Sequence, residues 1–152
     1  MVPLGFYRNP ALGALLFVFF MEINLNKISS CQMEEAAKAA YPGECCGILL
    51  GKTAQNSGKG EIEVLETREA PNLVQGEQKS TRFEADPLFL YQVEREIEGS
   101  GLEIVGFYHS HPDCEAIPSR ADAEKMVPGL IYAILSVTAD GVVDIRTFTA
   151  ES

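Results

Sequence analysis

Residues Leu130 to Val137, Leu-Ile-Tyr-Ala-Ile-Leu-Ser-Val, form a nearly unbroken apolar run. An apolar run of this length bounded by a turn signal is of buried-strand type, and a strand without a polar face belongs centrally in a sheet. Ala139-Asp140-Gly141 then turns the chain into a last strand, Val142 to Phe148. A sheet that buries its central strand needs layers to cover it, and the rest of the chain supplies them. Ser29 and Gln32 have the spacing of a capping box, predicting a helix through Met33, Ala36, Ala37 and Ala40 that Tyr41-Pro42-Gly43 stops. Asp86-Pro87 reads as an N-cap with proline at the first helical position. The helix it opens carries Leu90, Val93 and Ile97 on one stripe and ends at Gly99-Ser100-Gly101.

Between these helices the pattern is that of strands. Cys46 to Leu50 is a short apolar strand closed by Gly51, and a polar loop follows from Thr53 to Gly60. Glu61 to Thr67 is a strand with Ile62 and Val64 on one face, and residues Glu69 to Arg82 read as a long connection without period. Arg82-Phe83-Glu84 reads as an ordinary edge segment. Glu103 to Tyr108 is a further strand, and a short helix starts at Ser119 and ends before Pro128. The expectation is one α/β domain: a mixed sheet flanked by two or three helices, without repeats or linkers.

Composition narrows what such a domain can do. The chain has 152 residues, enough to bury a substantial core, with 46% hydrophobic and 22% charged residues. A net charge of −10 excludes nucleic acid as the expected partner, since phosphate binding runs on clustered Lys and Arg. The acidic helix face of Glu94, Glu96 and Glu98 reads as solvated. Four cysteines, two of them adjacent (Cys45 and Cys46), do not space as a zinc ribbon and suit reduced thiols in a cytoplasmic protein. The apolar run from Ala11 to Phe20 is ten residues long, too short to span a bilayer, and no small-residue cleavage motif follows it. Residues 1–20 are therefore expected to be a dispensable or non-native extension of a domain covering 21–152, with no stable membrane anchoring.

The chain's two histidines, His109 and His111, are one residue apart in Gly-Phe-Tyr-His-Ser-His-Pro. On a strand, residues two apart face the same side, so both imidazoles can grip one metal ion. Ser119 and Asp122 follow, completing His-x-His-Pro-x6-Ser-x2-Asp. Catalytic zinc typically takes three protein ligands, and His109, His111 and Asp122 make such a set. Ser119, three residues from Asp122, shares its face on a helical turn. Ser-x-x-Asp is also a helix-capping signature, and on spacing alone both roles stand. Cys114 is a rival third ligand, though three residues after His111 allow only a tight loop. Cys45 and Cys46, at the start of an apolar run, read as small core residues rather than thiol nucleophiles. Alternation puts Phe107 on the face of His109 and Tyr108 on the other, both as core or wall. Pro112 is read as fixing the turn after His111.

His-Ser-His-Pro-x6-Ser-x2-Asp resembles the signature of the JAMM (MPN+) metalloproteases at every position. The resemblance spans Met21 to about Phe148 and implies a single MPN/JAMM domain, a cytidine-deaminase-like α/β fold. It also adds a residue that spacing could not reach. Glu44, in Tyr-Pro-Gly-Glu-Cys-Cys-Gly-Ile-Leu-Leu-Gly, stands where the family has its upstream glutamate, some 65 positions before the histidines. The family implies one Zn²⁺ per chain on His109, His111 and Asp122, with Glu44 as general base and then acid and Ser119 as donor to the oxyanion.

Compact bacterial and archaeal members of the family resemble proteases that cut after the terminal Gly-Gly of ubiquitin-like sulfur-carrier proteins. The short domain, with room for a first insertion only between Thr67 and Asp86, favours that class over a chain-selective deubiquitinase. A noncatalytic MPN-type scaffold and a metal-dependent hydrolase of small molecules are the other classes to be separated.

Overall fold

The computed structural model describes residues 22–56, 59–71 and 86–150. The proposed N-terminal extension and Arg82-Phe83-Glu84 lie outside those residues. Six strands form one mixed sheet in the order β1-β3-β2-β4-β5-β6. They are β1 (Glu22–Leu25), β2 (Cys46–Asn56), β3 (Lys59–Ala70), β4 (Glu103–Pro112), β5 (Ile131–Thr138) and β6 (Gly141–Thr149). Three helices accompany them: α1 (Lys27–Ala40), α2 (Pro87–Ile97) and α3 (Arg120–Lys125). The apolar run is β5, buried over its first seven residues and paired with β4 on one side and β6 on the other.

Strand alternation divides β5 between two cores. Ile131, Ala133, Leu135 and Val137 meet Met33, Ala36 and Ala37 of α1. Tyr132 and Ile134 face the opposite layer, with Ala116, Met126 and Phe148. On that second face α2 sets Val93 and Ile97 against Ile48 and Leu50 of β2. Phe107 belongs to this layer, stacked on Tyr132 at 6.1 Å between ring centroids, while Tyr108 is buried under α1. The opposite orientations of Phe107 and Tyr108 follow the alternation of the strand.

Several boundaries differ from the sequence expectation. The N-cap of α1 is Asn26, whose side chain accepts from the Ser29 amide at 2.8 Å; Ser29 is the buried third residue of the first turn. Gln32 turns to the sheet instead, where its Oε1 accepts from the Thr67 amide at 2.9 Å. Two acceptors compete for such roles, and Asn26 wins because the strand β1 delivers it in extended geometry. The loop expected from Thr53 to Gly60 is largely strand: β2 continues to Asn56 and β3 starts at Lys59, so the pair extends past the apolar segment into polar sequence. Gly51 does not close β2 but carries it through a register shift, where a Cβ would lie 1.8 Å from the Glu63 carbonyl oxygen. Likewise β3 runs on to Ala70, into what reads as connection.

Candidate metal centre

Strand β4 does more than deliver the histidines; it contains them. It pairs antiparallel with β2, Cys46 opposite His109, and parallel with β5, His111 opposite Ser136. The turn beyond belongs to Asp113, at φ 54°, not to Pro112, which is still paired with Val137. Asp tolerates this left-handed conformation better than most residues, and its amide donates to the Val137 carbonyl at 2.8 Å.

His109, 2% exposed, and His111 present their Nε2 atoms 3.1 Å apart. Asp122 Oδ2 lies 3.1 Å from the first and 3.0 Å from the second. Among the described residues these three side chains form the group able to hold one metal ion. A tetrahedral site with ligand bonds of about 2.0–2.1 Å has its donor atoms about 3.3 Å apart. The observed spacings of 3.0–3.1 Å, with two imidazole nitrogens and one carboxylate oxygen converging on one point, fit such an ion. Cys114 is exposed and outside the group.

The ligand rings are oriented from behind. His111 Nδ1 donates to the Glu115 carbonyl at 2.9 Å, which leaves Nε2 as the lone-pair nitrogen toward Asp122. Ser136 Oγ, buried in β5, donates to the Cys114 carbonyl at 2.5 Å and holds the same loop. Burial lowers the pKa of His109, which favours the neutral form a ligand needs, with Asp122 opposing. Burial acts in the same direction on His111, but its bonds to Asp122 and to the Glu115 carbonyl win, and its pKa rises. For Asp122 burial would raise the pKa; the bonds to His109 and His111 and the Ser119 amide overcome it and hold the carboxyl well below the usual range.

Ser119 caps α3. Its Oγ accepts from the Asp122 amide at 3.1 Å and its own amide donates to Asp122 Oδ2 at 2.9 Å, a complete capping box. The two readings of Ser-x-x-Asp are thus compatible. A hydroxyl that accepts at its oxygen still has its proton to donate, and the box aims Asp122 at the histidines.

Glu44 reaches the site by strand register. Cys46 stands opposite His109, and the pairing continues as Ser110 N donates to the Cys45 carbonyl at 3.1 Å. The Cys45 amide in turn donates to Ser110 Oγ at 2.9 Å. One step further along this register, Glu44 faces His111. Glu44 is 8% exposed, and burial pushes its carboxyl up to about 7, with His111 opposing and Asp122 adding to the rise. A carboxyl with a pKa near neutrality is suited to accept and return a proton. Burial raises the Cys45 thiol to about 11 and the Cys46 thiol to about 12, which removes both as nucleophiles.

Sequence reading missed Ser110, Ser136, the Glu115 carbonyl and the pair Tyr41–Asp113, whose side chains are joined by hydrogen bonds of 2.9 and 3.1 Å. Only Ser110 carried a signal, as the residue enclosed by the two histidines; the others act through backbone or tertiary contacts that no local pattern encodes.

Several known proteins resemble this chain. A model of prokaryotic homologs of the JAB domain matches residues 31–150. A desampylase of Haloferax volcanii is 32% identical over 103 residues, covering 67% of this chain and 68% of that one. A probable TtuB-protein conjugate cleaving protease of Thermus thermophilus is 37% identical over 62 residues, 39% of this chain and 42% of its own length. A CysO-cysteine peptidase of Mycobacterium tuberculosis is 27% identical over 104 residues, covering 68% and 65%. Among solved structures, a Desulfitobacterium hafniense protein superposes with a TM-score of 0.64 at 28% identity, over 82% of this chain and 89% of its own. With the family model spanning most of the sheet, all three site elements and both histidines, the chain belongs to the prokaryotic JAB-domain family.

Proposed function

We propose that this chain is a zinc-dependent peptidase that hydrolyses the bond after the C-terminal Gly-Gly of a ubiquitin-like sulfur-carrier protein. The observation that carries the reading is the convergence of His109 Nε2, His111 Nε2 and Asp122 Oδ2 within 3.1 Å of one another, with a buried glutamate aligned beside them. Zinc bound by these three residues would supply Lewis acidity, polarising the scissile carbonyl and acidifying a water. Glu44 takes the proton of the attacking water and returns it to the leaving amine. Ser119 donates its hydroxyl proton to the oxyanion that develops on the carbonyl, a contact usually worth about 3–4 kcal/mol. His109 and His111 serve as ligands and move no proton in this scheme.

The names of the Thermus and Mycobacterium relatives describe cleavage of a TtuB–protein conjugate and of CysO-cysteine, which supports a small-protein substrate with a variable leaving group. A Gly-Gly tail is narrow enough to lie extended against a sheet, exchanging main-chain hydrogen bonds. The four free cysteines suit the cytoplasm as the place of action. Among the described residues no helix is long and apolar enough to cross a membrane.

The test is a cleavage screen on carrier-Gly-Gly–X fusions. Chelator abolishes turnover, zinc restores it, and Glu44→Gln lowers kcat by at least about 10²-fold with metal still bound. Turnover that survives complete removal of metal refutes the reading. Stoichiometric zinc without cleavage of any tailed fusion shifts the weight to a scaffold or a small-molecule hydrolase.

A further inference from the structure

Glu44 stands in the connection between α1 and β2, directly after Gly43, whose amide donates to the Ala40 carbonyl at 2.7 Å and closes the last turn of α1. Proton transfer tolerates little sway, since a misplacement of about 1 Å can cost on the order of 10²-fold in rate. Beyond that turn, two ties join this segment to the end of β4 and the residue after it. On one side of Glu44, Cys45 exchanges two hydrogen bonds with Ser110, at 2.9 and 3.1 Å. On the other side, the Tyr41 hydroxyl donates to the Asp113 carboxylate, at 2.9 Å to Oδ2 and 3.1 Å to Oδ1. The same two ties bracket His111, which lies between Ser110 and Asp113. Proton carrier and metal ligand therefore sit inside one closed frame.

Both ends of the outer tie are anchored. The Tyr41 ring packs against the core beneath α1, and its amide donates to the Ala37 carbonyl at 3.1 Å. Asp113 is fixed by its amide on the Val137 carbonyl. A phenol on a core-packed ring is a stiff spacer, and its one hydroxyl proton is shared between the two oxygens of the Asp113 carboxylate, a charge-assisted contact. We propose that Tyr41 and Asp113 are positioning residues: their hydrogen bond sets the placement of Glu44 against His111 without contributing to metal binding.

This inference rests on Glu44 being the proton carrier, and two kinds of readout keep the two ideas separable. Tyr41→Phe deletes only the donor, and Asp113→Gly deletes the acceptor without straining the left-handed turn at φ 54°. Each lowers kcat on a Gly-Gly-tailed fusion about tenfold, with KM and zinc affinity (chelator competition) within about twofold of wild type. The double variant loses no more than either single one, because they break one contact. Asp113→Asn, which keeps an acceptor oxygen and also tolerates the left-handed turn, recovers most of the rate lost in Asp113→Gly. Independently of activity, amide exchange in zinc-loaded Tyr41→Phe accelerates at Gly43 to Cys45 and is unchanged across β5. Additive losses, a drop in zinc affinity that accounts for the lost rate, or unaltered exchange at Gly43 to Cys45 would overturn the proposal. If wild-type protein cleaves no tailed fusion, the peptidase reading fails, while the exchange comparison still decides whether the tie restrains the segment.

Discussion

At the scale of single residues, Glu44 sets chemistry against stability. Its carboxyl ionises at an ordinary 4.5 when solvated and at about 7 in the fold, so the native state holds its proton more tightly than the unfolded chain. Stability from this group is fully present below pH 4.5 and is lost as pH rises to 7, above which the penalty is constant. In metal-free protein, Glu44→Gln therefore becomes progressively more stable than wild type, the gap widening by about 2 kcal/mol between pH 5 and pH 8. Urea denaturation of both proteins at the two pH values checks this, and a constant gap would show that burial does not shift the carboxyl. Ser119 combines two duties that one substitution separates by size. Ser119→Ala is expected to lower kcat about 10²-fold through the lost oxyanion contact, yet to cost only about 1 kcal/mol through the lost cap. Comparing kinetics with denaturation distinguishes them: a rate loss no larger than the cap predicts would make Ser119 a structural residue alone.

Elements place these residues, and the join of β2, β4 and β5 is what they depend on. Gly106 lets β4 lie close to β5; a Cβ there would fall 1.9 Å from the Ile131 carbonyl oxygen. Gly106→Ala is expected to destabilise the protein by about 3 kcal/mol or more and to weaken zinc binding with it, as read by thermal denaturation and chelator competition. The element scale is also where the sequence was most legible. The apolar run of β5, the Asp86-Pro87 start of α2 and the alternation of Phe107 and Tyr108 encode their environments locally, because burial on one or two faces writes a period into the chain. The ends of β2 and β3 were not legible: past Gly51 and from Glu66 to Glu69 the sequence is polar, and pairing of the two strands carries them on, with Thr67 and Ala70 buried at the far end of β3. The cap of α1 was misplaced for a related reason, since Asn26 and Ser29 both carry capping chemistry and only the path of β1 chooses between them. The histidines and Asp122 could be grouped by spacing. Glu44 could not, because a strand register, invisible in local sequence, carries it to His111.

For the whole molecule, the charge of −10 and the metal group work in the same direction: the chain's field attracts a divalent cation and repels phosphate polymers. Binding to the native state alone adds stability by mass action, about 2.7 kcal/mol when free zinc is a hundredfold above its dissociation constant. A rise in Tm of roughly 8 °C on zinc addition is expected, and its disappearance in His111→Ala would tie it to this centre. The distribution of that gain matters more than its size. Helix α3 buries no side chain of its own, although it carries Asp122. An element with so little core to defend it opens at low cost. The third ligand thus sits on the lightly packed part of the site: the hydrophobic layers hold the two histidines, whereas Asp122 is aimed at them by its capping box with Ser119. Chelation is therefore expected to loosen α3 and leave the sheet intact, which amide exchange measured on α3 and on β5 would read.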